Sequence, residues 1–280
     1  MTIAELLRRI RKQLSPLLGE LAGPDAELIL QHFLHQSRTE LYVSSTNELD
    51  HDTVAKIEAV VSRRITGEPL QYILGSTFFY DRDFLVTPKV LIPRPDTETL
   101  IETVLSHETE NQLRFADIGT GSGIIATTLK NQRRSWSAFA ADISLEALFV
   151  AQKNAGGTVQ LICTNMLSAF KPGELFEFIV SNPPYISADE MAKLDKSVSD
   201  HEPHTALYGG LDGLEYYRTL ASEAPKVLIP NGRIYLEIGY DQGKSVPDIL
   251  ISNGWEDIEV IKDLGGRSRV VKAGLKCNRT

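Results

Sequence analysis

The segment with the clearest chemical meaning follows the apolar run at residues 178–181 and reads Asn182, Pro183, Pro184 and Tyr185. Proline lacks a backbone N–H and disfavours a helical conformation of the preceding residue, so two consecutive prolines end a strand and force a turn. The turn leaves the side-chain oxygen of Asn182 and the carbonyl of Pro183 as hydrogen-bond acceptors that no neighbouring strand uses. These acceptors, together with the aromatic face of Tyr185, suit a planar amide or amino group as the substrate.

A glycine-rich turn lies upstream of this segment. An apolar run ends near Asp117, and the turn that follows it consists of Gly119, Thr120, Gly121, Ser122 and Gly123. Glycine adopts positive φ and lets a ligand approach the backbone closely, so this turn is predicted to receive a cofactor. About twenty residues further on, a second apolar run leads into Asp142 and Ile143, and an acid at such a strand end typically binds a pair of ribose hydroxyls.

The spacing of the glycines indicates which cofactor is bound. Nicotinamide cofactors are held by Gly-x-Gly-x-x-Gly, whereas this turn reads Gly-x-Gly-x-Gly and is preceded by Asp117. A carboxylate at Asp117 suits the cationic amino group of S-adenosylmethionine, which needs no phosphate cradle. We therefore predict S-adenosyl-L-methionine as the cofactor, S-adenosyl-L-homocysteine as its product, and no metal. The spacing disfavours a nicotinamide oxidoreductase, and the intact segment at residues 182–185 disfavours a catalytically silent cofactor-binding module.

In their residues and in their order along the chain, these segments resemble those of the class I S-adenosylmethionine-dependent methyltransferases that modify amide or exocyclic amino nitrogens. Within that class, the chain resembles the peptide chain release factor glutamine N5-methyltransferases over nearly its whole length. Further stretches that carry the resemblance lie at residues 63–75, 86–98, 201–214, 236–239 and 263–269. The resemblance implies that a methyl group passes to the side-chain amide nitrogen of a glutamine in release factors, giving N5-methylglutamine.

The resemblance also assigns roles to individual residues. Asn182, Pro183 and Tyr185 are expected to be catalytic, and residues 182–185 are expected to bind the substrate amide, with Asn182 also beside the cofactor. Asn165 and Met166 are expected to contact adenine, at positions where the family usually carries an acid and then an aromatic residue. Asparagine can still form hydrogen bonds there, and methionine can still lie against a ring.

Two alternative substrates use the same site chemistry. One is a glutamine of a ribosomal protein, and the release factor is favoured over it only by the resemblance at residues 63–75. The other is an amino group of a nucleic-acid base, which is also planar and carries two N–H donors. The net charge of −8 and a pI of about 5.3 argue against extensive phosphate contacts, so nucleic acid is not expected as a direct partner.

Hydrophobic periodicity predicts a chain of two bodies. Residues 1–75 carry apolar residues at helical spacing and predict a helical bundle, which we expect to dock the substrate protein. Residues 76–93 predict a β-hairpin linker. In residues 94–280, strands alternate with helices, which predicts an α/β fold with a doubly wound class I methyltransferase sheet that binds S-adenosylmethionine. The runs at residues 255–262 and 268–273 predict an antiparallel pair that closes this sheet.

Composition favours a cytoplasmic protein, expected to be monomeric. The chain has 280 residues and 42% hydrophobic content, enough for a substantial core. No apolar run approaches the roughly 18 residues of a membrane-spanning helix, and the N-terminus lacks the pattern of a secretion signal.

Cys163 and Cys277 lack metal-ligand spacing and are interpreted as free thiols. We interpret His201, Glu202 and His204 as a structural or substrate-contacting loop rather than a metal site.

Overall fold

The computed structural model describes residues 1–173 and 175–275, and the chain divides into two compact units. The first unit comprises Met1–Ser76 together with Asp195–His201, and the second comprises Thr77–Leu194 and the described residues from Glu202 onward. None of the helices in these ranges is both long and apolar enough to cross a membrane. Cys163 is a free thiol exposed to solvent, and Cys277 lies outside the described residues.

The first unit is built from helices. They are α1 (Ile3–Leu18), α2 (Ala22–Leu34), α3 (Arg38–Val43), α4 (His51–Ile65) and α5 (Leu70–Leu74), with a 3₁₀ turn at Gly19–Leu21. Helix α1 begins with a capping box, in which Thr2 and Glu5 each accept a hydrogen bond from the backbone N–H of the other. Residues at helical spacing on α1, including Ile3, Leu6 and Ile10, are buried in the core of this unit. The predicted helical bundle is confirmed.

Along the rest of the chain, strands alternate with helices as the sequence predicts. The elements are β1 (Ser76–Phe79), β2 (Arg82–Leu85), α6 (Thr97–His107), β3 (Arg114–Ile118), α7 (Ile124–Gln132), β4 (Ser137–Asp142), α8 (Leu145–Ala155), β5 (Gln160–Cys163), β6 (Phe176–Ser181), α9 (Ala188–Met191), α10 (Lys196–Ser199), α11 (Glu215–Glu223), β7 (Leu228–Glu237), α12 (Ser245–Ser252), β8 (Trp255–Lys262) and β9 (Ser268–Leu275). Short 3₁₀ turns occur at His204–Ala206 and Ala224–Lys226. Helix α10 lies within the segment that belongs to the first unit.

Strands β3 to β9 form one sheet with the order β5-β4-β3-β6-β7-β9-β8. Strand β3 pairs in parallel with β4 on one side and with β6 on the other, and β6 pairs in parallel with β7. The predicted antiparallel pair is confirmed, although β9 rather than β8 lies next to β7. The chain therefore crosses from β5 back to β6, and a crevice opens at the carboxyl ends of β3 and β6, where the direction of winding reverses.

Alternation of side chains along the strands creates a core on each face of the sheet. Phe115 of β3 belongs to a cluster with α6 and α7, whereas its neighbour Ala116 belongs to a cluster with α11 and α12. Phe79 and Phe84 of the hairpin are buried in the first of these clusters. The hairpin is thus packed into the second unit, and the sheet is held firmly enough to position the loops at its carboxyl edge.

Candidate active site

The cavity that collects most of the predicted site residues lies at the carboxyl ends of β3, β4 and β6. Parallel strands end at one edge of the sheet, so the loops that follow them meet there. The predicted residues that line the cavity are Gly119, Thr120, Gly121, Ser122, Asp142, Ile143, Asn165, Met166, Asn182, Pro183 and Pro184. The turn predicted for a cofactor and the turn predicted for a planar amide therefore share one cavity.

The glycine-rich turn is anchored to the end of β4. The backbone N–H groups of Gly119 and Thr120 donate to the carbonyl of Ala141 at 2.9 and 3.0 Å. Gly119 and Gly121 have φ values of 72° and 55°, in the left-handed region that residues with a Cβ rarely adopt. Apart from the glycine itself and its two chain neighbours, no described residue has an atom within 4 Å of the position that a Cβ on either glycine would take. The open space gives a ligand close access to the backbone of the turn.

Asp142 connects the end of β4 to the glycine-rich turn. One carboxylate oxygen accepts the N–H of Gly121 at 2.8 Å, and the other accepts the N–H of Ser144 at 2.9 Å. Burial raises the pKa of Asp142, and these backbone hydrogen bonds oppose the rise. Each carboxylate oxygen keeps a further lone pair, and the residue lines the cavity, so Asp142 can accept hydrogen bonds from a pair of ribose hydroxyls.

Asp117 holds the glycine-rich turn from within the core. One of its oxygens accepts the hydroxyl of Thr120 at 2.6 Å and the N–H of Ala126 at 3.1 Å. The other oxygen has no hydrogen-bond partner among the described residues, and burial raises the pKa of Asp117 to about 7. Asp117 lies outside the set of described residues that line the cavity. Asp117 thus supports the turn, and its contact with the cofactor stays a prediction, favoured by one unpartnered oxygen that suits a nearby cation.

Asn182 stands at the junction of β6, β3 and α6. The hydroxyl of Ser181 donates to the carbonyl of Ile118 at 2.6 Å, which ties the end of β6 to the end of β3. The side-chain nitrogen of Asn182 donates to the hydroxyl of Thr97 at 3.3 Å. The carbonyl of Pro183 takes part in none of the backbone hydrogen bonds found among the described residues. The side-chain oxygen of Asn182 and the carbonyl of Pro183 therefore remain as the two acceptors that a planar amide requires.

Tyr185 lies in the turn after β6, and its contact with the substrate amide stays a prediction. Within the described part of the chain, its ring packs against the apolar cluster formed with α11 and α12 and is not among the residues that line the cavity. Burial raises the pKa of its hydroxyl to about 12. The side-chain amide of Gln242 donates to the carbonyls of Tyr185 and Gly213 at 3.3 and 3.1 Å. An aromatic ring buries a large apolar area, so Tyr185 anchors the turn after β6 to the core.

The glycines at residues 209–213 permit a close backbone approach to this turn. A Cβ at Gly209 would stand 2.6 Å from the carbonyl oxygen of Pro184, and a Cβ at Gly213 would stand 2.3 Å from the carbonyl oxygen of Tyr185. The N–H of Gly209 also donates to the carbonyl of Ile186 at 2.9 Å. Any larger residue would displace the turn that carries Asn182, which explains the glycines physically.

Thr97, Tyr216 and Asn154 are among the residues of the site that the sequence did not predict. Thr97 and Tyr216 line the cavity. Asn154, buried on α8, donates to the carbonyl of Ser122 at 2.8 Å and exchanges two hydrogen bonds with the backbone of Leu85, so it joins the hairpin to the glycine-rich turn. A polar residue on the apolar face of a predicted helix is the signal that would have identified Asn154.

Glu202 has a structural position beside the cavity. Its side chain is 2% exposed and accepts hydrogen bonds from the guanidinium of Arg94 at 2.5 Å and the N–H of Ile92 at 3.4 Å. Arg94 and Pro203 line the cavity, so this ion pair fixes one of its walls. In the described ranges, no group of three or more His, Cys, Asp or Glu side chains is arranged to hold a metal ion.

Comparisons with known proteins agree with this geometry. Residues 5–75 match the family described as PrmC N-terminal domain, and residues 95–198 match the family described as Methyltransferase small domain. A release factor glutamine methyltransferase of Koribacter versatilis is 43% identical over 250 residues, which cover 88% of this chain and 89% of that protein. A release factor glutamine methyltransferase of Bacillus subtilis is 39% identical over 265 residues, which cover 91% of this chain and 92% of that protein. A methyltransferase structure from Pyrococcus furiosus, 17% identical, covers 80% of this chain and 98% of its own with a TM-score of 0.51, which shows a shared fold.

Replacing Gly209 by Ala is expected to lower the free energy of unfolding by about 1–3 kcal/mol, because the added Cβ must displace the carbonyl of Pro184. Gly274→Ala is the matched control, since its Cβ would meet its nearest atom at 3.8 Å, an ordinary contact. The control should change stability by less than about 0.5 kcal/mol. Urea unfolding followed by circular dichroism measures both variants, and equal stabilities would contradict the close packing of this turn.

Proposed function

Because the chain belongs to the release factor glutamine methyltransferase family, we propose that it methylates the side-chain amide nitrogen of a glutamine in peptide chain release factors. The methyl donor is S-adenosylmethionine, and the products are N5-methylglutamine and S-adenosylhomocysteine. The observation that carries the proposal is that Asn182 and the glycine-rich turn line the same cavity. Since release factors act in translation, the proposal includes a cytoplasmic enzyme, and it requires only one copy of the chain.

The cavity residues fit S-adenosylmethionine. Asp142 offers carboxylate oxygens to the ribose hydroxyls, while Asn165 and Met166 offer an amide and a thioether to the adenine. The glycine-rich turn leaves room for the amino-acid portion, and the unpartnered oxygen of Asp117 favours the ammonium group. When bound, S-adenosylmethionine supplies a methyl group attached to a positively charged sulfur. This charge makes the methyl group strongly electrophilic.

Asn182 and Pro183 then orient the substrate amide. A primary amide nitrogen is a poor nucleophile because its lone pair is delocalised into the carbonyl. The side-chain oxygen of Asn182 and the carbonyl of Pro183 accept hydrogen bonds from the two N–H groups of the substrate amide. These hydrogen bonds point the nitrogen at the methyl group and favour a pyramidal nitrogen as the new bond forms. Bound S-adenosylmethionine would supply the methyl group to this nitrogen, and its sulfur would keep the electron pair of the S–CH₃ bond. The methylated nitrogen afterwards releases one proton, so no strong base is needed before attack.

The substrate class is tested by methyl labelling. S-adenosylmethionine with a labelled methyl group is incubated with the full-length protein and, separately, with purified release factor, ribosomal proteins or nucleic acid. We expect label on the release factor, and peptide mapping by mass spectrometry should locate it on a glutamine. Label found instead on a ribosomal protein, or on a nucleic-acid base, would replace the proposed substrate by that one.

Asn182→Ala is expected to lower kcat by about 100-fold or more and to change the Kd for S-adenosylmethionine by less than about threefold. The reason is that Asn182 contacts the reacting amide, whereas the cofactor has other partners in the cavity. Asn165→Ala is the contrasting variant and should weaken cofactor binding more than it slows turnover. Calorimetry gives the Kd and methyl transfer to release factor gives kcat. Loss of cofactor binding in parallel with kcat in the Asn182 variant would refute its assignment.

We further propose that the first unit docks the body of the release factor. Methyltransferases that share one fold act on many different substrates, so the choice of substrate depends on surface outside the shared fold. The first unit keeps large apolar side chains exposed to solvent, between 47% and 81%, at Leu17, Leu21, Leu28, Tyr42 and Val43. Such residues are suited to a protein partner. A glutamine on a protein loop reaches the cavity more often when a second contact raises its effective concentration.

A protein that begins at Thr77 tests this docking role. The second unit begins at Thr77. A later start, such as Thr87, would delete Phe79 and Phe84, which are buried in the core of that unit. We expect the shortened protein to bind S-adenosylmethionine and to methylate a short glutamine peptide at the full-length rate. Methylation of intact release factor should fall by about 10- to 100-fold, because one of two contacts is lost.

The full-length chain, assayed on the same two substrates, is the control for this experiment. Residues 195–201 lose their partners in the first unit, so circular dichroism and cofactor affinity must first show that the shortened protein is folded. If it modifies intact release factor as fast as the full-length chain, the first unit has no docking role.

A further inference from the structure

A fully buried acid lies next to the asparagine that faces the substrate. Glu237 ends β7 and is 1% exposed. The pairing of Ser181 with Leu236 places Glu237 beside Asn182. Burial raises the pKa of the Glu237 carboxyl group, and hydrogen bonding by the side chains of Thr97 and Asn182 opposes the rise. The side-chain nitrogen of Asn182 also donates to the hydroxyl of Thr97 at 3.3 Å. These three side chains form a network in which two members, Thr97 and Asn182, line the cavity.

The chemistry of a carboxylate gives this network a direction. Above its pKa of about 7, Glu237 is ionised and only accepts hydrogen bonds, so in a hydrogen bond between the two the hydroxyl of Thr97 must donate. The lone pairs of Thr97 are then left to accept, and the group that donates to them is the NH₂ of Asn182. An asparagine whose nitrogen is committed in this way presents its oxygen on the opposite side. Without such a partner, the two ends of the amide would be nearly interchangeable in shape.

We propose that Glu237 is a positioning residue that, directly and through Thr97, fixes the side-chain oxygen of Asn182 toward the substrate amide. The inference rests on the proposed function, since it explains how Asn182 is made an acceptor. If the amide were flipped, its NH₂ would face the two N–H donors of the substrate. Donors would then meet donors, and the substrate nitrogen would be turned away from the methyl group.

The surroundings of Glu237 support a functional reason for its burial. Burial raises the pKa of Glu237 to about 7, and the hydrogen bond from Thr97 and the charge of Arg269 oppose the rise. One carboxylate oxygen has no hydrogen-bond partner among the described residues. The hydroxyl of Tyr217 donates to the backbone carbonyl of Glu237 at 2.9 Å and so fixes the end of β7. A buried carboxylate with incomplete partners weakens a fold, so stability alone does not explain this residue.

Substitutions at Thr97 and Glu237 in the full-length protein test the proposal. Thr97→Val removes the hydroxyl at nearly constant volume, and Thr97→Ser keeps it. We expect Thr97→Val and Glu237→Gln to lower kcat for release factor methylation by about tenfold, with KM and the Kd for S-adenosylmethionine within about twofold. Thr97→Ser should retain at least about half of the wild-type kcat. A Thr97→Ser variant as slow as Thr97→Val, or a change confined to KM or Kd, would overturn the proposal.

A double-mutant cycle separates this role from a general structural one. If Glu237 acts through Asn182, Glu237→Gln should leave the residual rate of the Asn182→Ala variant unchanged within about twofold. An equal loss of rate in the wild-type and Asn182→Ala backgrounds would show independent action and refute the inference. Failure of the proposed function has a different signature, since the wild-type enzyme would then not methylate release factor at all.

Discussion

The pairing of β6 with β3 is the constraint on which the site depends. The chain leaves β3, builds β4 and β5 on one side, and returns to place β6 on the other side of β3, with Phe178 opposite Phe115. The hydrogen bond from Ser181 to the carbonyl of Ile118 fastens the two strand ends together. Because both strands run in the same direction, the turns that follow them open into one crevice. The two turns therefore line the same cavity of the second unit.

Three acids at strand ends serve this crevice as fixed hydrogen-bond acceptors. Asp117, Asp142 and Glu237 end or nearly end β3, β4 and β7, and burial raises the pKa of each. Methyl transfer from a sulfonium to an amide needs no proton removed before attack, so these carboxylates are free to orient other groups. Asp117 and Asp142 hold the glycine-rich turn. These carboxylates hold the turn in place before the cofactor binds. The free energy that their burial costs is offset by the rest of the fold.

Close backbone packing gives the substrate turn its shape. Gly209 and Gly213 lie against the carbonyls of Pro184 and Tyr185, where no Cβ would fit. Gln242 bridges the same region through its side-chain amide. A turn held from several directions keeps its free acceptors in place, and alignment of the reacting atoms is the main source of rate in a reaction of this kind.

Sequence patterns alone determined the helical first unit, the alternation of strands and helices, and the two turns that line the cavity. These features depend on local rules, namely the periodicity of apolar residues, the conformational freedom of glycine and the missing N–H of proline. Strand order, with β9 between β7 and β8, depends on contacts between distant segments and has no local signal. The same holds for the network of Glu237, Thr97 and Asn182, whose members come from different elements. Only tertiary structure decided that the ring of Tyr185 packs against an apolar cluster and that Asp117 is buried beneath the glycine-rich turn, because burial and hydrogen bonding there depend on the whole fold.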